Sequence, residues 1–168
     1  MLSEGLLWGF RSLGLEAEMA VPEGKGGAGA IGSAACFDSP SWYELTVEGK
    51  KAAGSAQTRQ KGVVLQHGSI LLELDADLLF SLLAFRSEEL KERMRDAFVR
   101  KAVAINDVRR SRGIPAVGLP VTEEAFREGF SRALDIRLEE AAPTEYEREL
   151  AERLAVEKYG SDEWTFMR

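Results

Sequence analysis

The chain has 168 residues, 45% hydrophobic and 30% charged, a composition that suits one soluble globular domain with enough apolar side chain to bury a core. Its formal net charge of -6 argues against general nucleic-acid affinity, which needs basic surface to neutralise phosphates. One cysteine excludes an internal disulfide, no apolar run reaches the roughly 18 residues of a membrane span, and acidic Glu4 stands where a secretory leader would be basic, so a cytoplasmic protein with a reduced thiol is expected.

Residues 2–13 predict a short helix, with Ser3 as N-cap and Gly14 as its stop, because Leu6, Leu7, Phe10 and Leu13 fall on one face. "AEMAV" follows as a short strand. The run 22–35, "PEGKGGAGAIGSAA", reads as a glycine-rich loop. Its lysine precedes most of the glycines and no strong helix signal follows, so it does not fit a phosphate-binding loop. In "ACFDSPSWYE", residues 35–44, the sole cysteine stands ahead of a strand, and Cys36 is either a small buried hydrophobe or a displayed nucleophile.

"WYELTVEG" alternates β-forming residues, "EGKK" supplies a glycine turn, and "KAAGSAQTRQ" returns as the second strand of a hairpin. By itself Lys51 reads as a solvated turn residue, and Lys61 as a surface residue at the hairpin end. A third strand lies in residues 62–74, "GVVLQHGSILLEL", interrupted by Gln66, His67 and Gly68. A polar triplet with glycine inside a strand marks either a bulge or the close approach of a ligand or another backbone. The small run Gly54, Ser55 and Ala56 points the same way, so the two strands could floor an elongated pocket. His67, the only histidine, could serve Cys36 as a base, but its place within a strand favours a satisfied polar residue or pocket lining.

Beyond Asp75 the period becomes helical. "DADLLFSLLAF" and "SEELKERMRDAFVRKAVA" predict helices, the second capped by Ser87. "NDVRRSRGIPAVGLP", residues 106–120, reads as a loop whose Arg109, Arg110 and Arg112 either attract an acidic carrier protein or are simply solvated. "TEEAFREGFSRAL" predicts a helix capped by Thr122, and "DIRLEEA", residues 135–141, a short strand. The last helix, "PTEYERELAERLAVEKYG", opens with Thr144 and Glu147 in capping-box spacing and stops at Gly160.

Residues 35–75, "ACFDSPSWYELTVEGKKAAGSAQTRQKGVVLQHGSILLELD", resemble the core of the biotin/lipoate protein ligase (BPL/LPL) superfamily, and more narrowly the cysteine-dependent octanoyltransferases of the LipM type. The ending "ERLAVEKYGSDEWTFMR" resembles the same family. The resemblance implies an α/β fold, with a small, mainly antiparallel sheet packed with helices, in which residues 1–168 form the C-terminal portion of the catalytic domain. An "RRxTGGxAVLH"-like motif of a preceding half does not occur in the sequence, so that half is itself an expected partner.

The implied function is transfer of an octanoyl group from acyl-carrier protein to a lysine of a lipoyl domain, such as the glycine-cleavage H protein, in lipoate biosynthesis. Cys36 would attack the acyl thioester and Lys51 would lie beside it. A thiol near its reference pKa of about 8.5 is mostly protonated at neutral pH, and a neighbouring ammonium favours the reactive thiolate. The route needs no cofactor, no metal and no ATP. Gly54, Ser55, Ala56, Gln57, His67 and Gly68 would line one concave, mostly apolar slot for the acyl chain. Two other readings of the same fold are an ATP-dependent lipoate-protein ligase, which would not need Cys36, and a silent binding module for carrier or lipoyl domains.

Overall fold

In the computed structural model four strands form one antiparallel meander, in the order β1 (Ala17–Ala20), β2 (Glu44–Val47), β3 (Lys50–Gln60) and β4 (Val63–Ile70). The structure describes residues 2–20 and 44–167; the expected glycine-rich loop at 22–35 and Cys36 lie outside them. The described chain divides into two units, Met1–Ile136 and Arg137–Arg168.

Two tight turns set the hairpins. Glu48-Gly49 joins β2 to β3 with φ of 53° and 73°, and Lys61-Gly62 joins β3 to β4 with φ of 50° and 80°. Two consecutive positive φ values define a type I′ turn, whose twist matches that of the strands it links. Glycine carries the second position without strain. Lys61 is therefore a turn residue, and it is exposed.

The pairing of β3 with β4 is continuous from Ala53↔Ile70 to Gln60↔Val63, so Gln66, His67 and Gly68 do not form a bulge. Close approach of backbone is the reason for Gly68: a Cβ there would overlap the Gly54 carbonyl oxygen. The bulge lies on β3 instead. Leu45 pairs with Ala53 but Thr46 with Lys51, which leaves Ala52 as the extra residue. A bulge interrupts side-chain alternation. Consecutive Lys51, Ala52 and Ala53 are accordingly all buried.

One face of the sheet is covered by α1 (Leu2–Ser12) and α5 (Leu119–Leu134), with Phe10, Leu45, Val47, Ala53 and Phe126 in the main apolar cluster. Helix α1 starts at Leu2, so Ser3 lies within its first turn and is not the cap. Gly14, at φ 78°, ends it: its N–H bonds the Arg11 carbonyl at 2.9 Å and the Leu15 N–H the Phe10 carbonyl at 3.0 Å, a Schellman pair closed by Phe10 and Leu15 in the core. The two helices meet through Gly5, Gly9 and Gly129. Side chains at Gly5 and Gly9 would overlap the rings of Phe130 and Phe126, and one at Gly129 would overlap the α1 backbone itself.

A second cluster gathers Phe80 of α2 (Ala76–Ser81), Phe98 of α3 (Glu88–Lys101) and Ala102. Asp75 and Ser87 cap these helices, accepting from Leu78 N at 2.8 Å and Leu90 N at 3.2 Å.

Three sequence expectations are corrected. The stretch 106–120 is not all loop: α4 (Ile105–Ser111) runs through it, because Ile105 and Val108 share a buried helical face behind the arginines. Helix α5 starts earlier than expected, after Gly118 with Pro120 in its first turn, and Thr122 lies inside it, its hydroxyl donating to the Gly118 carbonyl at 3.0 Å. Residues 135–141 form no strand. Asp135 adopts the left-handed conformation that closes α5, and the Ile136 and Leu138 that suggested alternation are exposed.

In the second unit α6 (Glu145–Leu154) opens with the expected capping box: Thr144 accepts from Glu147 N at 3.3 Å while Glu147 accepts from Thr144 N at 2.7 Å. Where one helix was expected to run to Gly160, the chain passes into a π-helical turn, Ala155–Tyr159, and then α7 (Asp162–Thr165), with Tyr159 and Trp164 edge to face at 4.9 Å.

The glycine crossing gives a direct stability prediction. Gly129→Ala gains up to about 1 kcal/mol of helix propensity but drives a methyl into backbone that cannot rotate away, so the net effect is a loss of about 1–3 kcal/mol in urea unfolding. Gly5→Ala meets a movable ring and is expected to lose less.

Candidate active site

The bulge on β3 puts Lys51 at the centre of the block that the sequence singled out. Its side chain is 8% exposed, so it is not the solvated turn residue that its neighbourhood of charges suggests. The turn position belongs to Glu48-Gly49, and Lys51 has already entered the strand. Its carbonyl accepts from Val103 N at 3.0 Å, and Lys51 and Ala102 form a parallel bridge beside the sheet. Next to it Lys50 Nζ donates to the Val99 carbonyl at 3.2 Å. Cys36, and therefore the expected approach of Lys51 to sulfur, lies outside the described residues.

A cavity of about 180 Å³ opens where the β3–β4 hairpin leaves the helices. Gly54, Ser55, His67 and Gly68 line it, and Leu6 and Phe130 contribute from the helical layer. Ala56 and Gln57 are not among its lining residues. Directly opposed residues share a face of the sheet, so the register places Ser55 and Gly68 on one face and Ala56 and His67 on the other. The six expected lining residues are thus contiguous on two paired strands but divided between two faces. Gln57 is engaged further along, donating from Nε2 to Gln66 Oε1 at 2.8 Å and accepting from Arg59 Nε at 3.0 Å. A Cβ at Gly68 would meet both the Gly54 carbonyl oxygen and the hydroxyl of Ser55, its register partner.

Below the cavity a polar junction holds the end of β4. Asn106 is 2% exposed, and both ends of its amide are used. Nδ2 donates to Glu73 Oε1 at 2.7 Å and to the Val117 carbonyl at 2.9 Å, while Oδ1 accepts from Val117 N at 2.8 Å. Arg110 forks onto Glu73 at 3.1 and 2.7 Å and reaches Asp107 at 2.7 Å. Hydrogen bonds from Arg110 and then Asn106 hold the Glu73 carboxyl below the ordinary carboxylate range, and Glu73 in turn raises Arg110.

The other two arginines are also engaged within the chain. Arg109 donates to the carbonyls of Pro115, at 2.8 Å, and Leu13. Arg112 pairs with Glu48 at 2.8 Å and donates to the Gly14 carbonyl at 3.2 Å. The arginine cluster that looked like a docking patch is therefore committed to intramolecular partners that tie α4 to the end of α1, to the β2–β3 turn and to the end of β4. Sequence reasoning missed Asn106 and Glu73 because their partners are 33 residues apart in the chain. The one local sign was a neutral Asn set between apolar "AVAI" and a charged run.

This antiparallel sheet backed by helices has the fold of lipoate-protein ligases. The bipartite lipoate protein ligase of Thermoplasma acidophilum superposes with a TM-score of 0.73 at 24% identity, over 97% of this chain and 55% of that one. A lipoate-protein ligase A bound with ATP gives 0.69 at 25% identity, over 97% and 56%. Residues 1–130 match the lipoyl protein ligase A/B catalytic domain, and the chain belongs to that family. Among curated relatives, the octanoyltransferase LipM of Brevibacillus brevis is 56% identical and that of Bacillus subtilis 50%, each over 100% of this chain. The chain spans 60% of the length of either relative.

The Glu73 junction makes a pH prediction. A carboxyl whose folded pKa is depressed stabilises the fold above its unfolded value, and that stability is lost as pH falls through the folded value. Thermal melts should therefore decline on acidification below about pH 4.5, and Glu73→Gln should show a shallower decline than the unmodified chain.

Proposed function

We propose that the protein is an octanoyltransferase of lipoate biosynthesis, acting in the cytoplasm through a thioester on Cys36. The observation that carries this is its 56% identity, across its whole length, to a protein named octanoyltransferase LipM. The ATP-bound ligase is alike at 25%.

The chemistry needs a thiolate, an acyl slot and an incoming amine. The Cys36 thiolate attacks the carbonyl carbon of an octanoyl thioester on acyl-carrier protein; the C–S bond to the carrier breaks and its thiol leaves as thiolate. A lysine amine of a lipoyl domain, such as the glycine-cleavage H protein, then attacks the Cys36 thioester. The amide forms, the amine loses a proton, and Cys36 departs as thiolate. No ATP enters, because the thioester keeps the acyl group activated throughout. Lys51 is assigned the charge that favours the thiolate at neutral pH, a role supported by its burial on β3 next to the bulge, within the matched block. The contribution of Leu6, Ile70 and Phe130 to the cavity suits an apolar chain.

The test uses the chain co-expressed with the part of the Brevibacillus brevis relative that it does not span. Incubation with octanoyl acyl-carrier protein and no acceptor should add one octanoyl mass that hydroxylamine removes. Cys36→Ser should abolish transfer to the H protein. Lys51→Ala should slow acylation about tenfold at neutral pH and progressively less as pH rises, since alkali supplies thiolate without the neighbouring charge. Full transfer by a Cys36→Ala enzyme, or transfer that begins only when ATP and free octanoate are supplied, would overturn the proposal in favour of the ligase reading.

A further inference from the structure

We infer that Asn106 is a positioning residue for Lys51, holding the backbone from which that ammonium projects; the inference rests on the reading of Lys51 as the group that tunes Cys36. Lys51 pairs with Thr46 immediately before the extra residue Ala52, where the register with β2 shifts. Backbone next to a bulge needs another support. The structure supplies it from the extended residues 102–104 and the first turn of α4: Val103 N donates to the Lys51 carbonyl at 3.0 Å, Ile105 N to the Leu71 carbonyl at 2.8 Å and Asn106 N to the Leu72 carbonyl at 3.1 Å. The Leu71 N–H in turn reaches the Ala52 carbonyl at 3.4 Å, which closes a ring of backbone around the bulge.

What fixes that segment is the Asn106 side chain. It ties residue 106 to Glu73 on one side and to both backbone groups of Val117 on the other. Alanine would leave the half-buried Val117 N–H and carbonyl without these partners. The ring around Lys51 would then lose its anchor, although no atom of Lys51 is touched.

Because Cys36 is the only thiol, the pH dependence of its alkylation by iodoacetamide reports directly on how well Lys51 is placed, on the 168-residue chain itself and without any acyl donor. Asn106→Ala should raise the midpoint towards that of Lys51→Ala and cut the rate at pH 7 by about three- to tenfold. The double variant should behave like Lys51→Ala alone, which general loosening of the fold would not produce. Melts and circular dichroism establish folding of each variant. If Asn106→Ala does not fold, Asn106→Asp decides: it keeps the shape and the acceptor for Val117 N but sets a carboxylate against Glu73, and it too should raise the midpoint. A folded Asn106 variant with an unaltered midpoint, beside a raised one for Lys51→Ala, overturns the inference and leaves the role of Lys51 standing. An unaltered midpoint in Lys51→Ala removes both.

Discussion

The docking of residues 102–106 along the sheet is the contact on which the first unit depends. Ala102 belongs to the phenylalanine cluster of α2 and α3, whereas Val103 and Ile105 belong to the main core beneath α1 and α5. The extended link at 102–104 and the first turn of α4 thus join two apolar clusters. Its N–H groups satisfy carbonyls on β3 and just beyond β4 that no strand of the sheet reaches. Without it the bulge at Lys51 and Ala52 would be a buried backbone irregularity lacking partners. With it, the irregularity is held from both sides.

The sheet and most helices were legible because their signals are local. X-Gly at both hairpin turns, Ser87 and Thr144 as caps, and the apolar face of α1 need only a few residues of context. Helix α4 was not legible, because Arg109, Arg110 and Arg112 dominate a seven-residue element whose apolar positions are only Ile105 and Val108. The supposed strand at 135–141 failed for the complementary reason: alternation without a neighbouring strand to pair with does not make a sheet. At Gly68 the sequence left a bulge and a close approach open, and close approach of backbone is what the structure shows, while the bulge at Ala52 carries no glycine to announce it.

The six residues proposed from the sequence lie on one pair of strands, β3 and β4, but face assignment depends on register, which propensity does not encode. Gly54, Ser55, His67 and Gly68 share a cavity; Ala56 and Gln57 lie beyond it. The junction of Asn106, Glu73, Arg110 and Val117 was invisible, because each member is ordinary in its own context and the four are joined only by the fold. The arginines illustrate the same point. Arg109, Arg110 and Arg112 read equally as a docking patch or as solvated charges, and each is ion-paired or hydrogen-bonded within the chain.

The distal half of the β3–β4 hairpin has a practical consequence. Among the described residues β4 is an edge strand of the sheet, and Val63, Val64 and Leu65 are 67%, 48% and 59% exposed. Consecutive strand residues point to opposite sides, so the ribbon is apolar on both surfaces at once. Such a ribbon is a template for adding further strands. The charges nearest to it are Arg59 and Lys61, at its tip. The exposed apolar margin thus gives the chain a surface suited to edge-to-edge association, with Arg59 and Lys61 at its tip as the charges in the ribbon that oppose it.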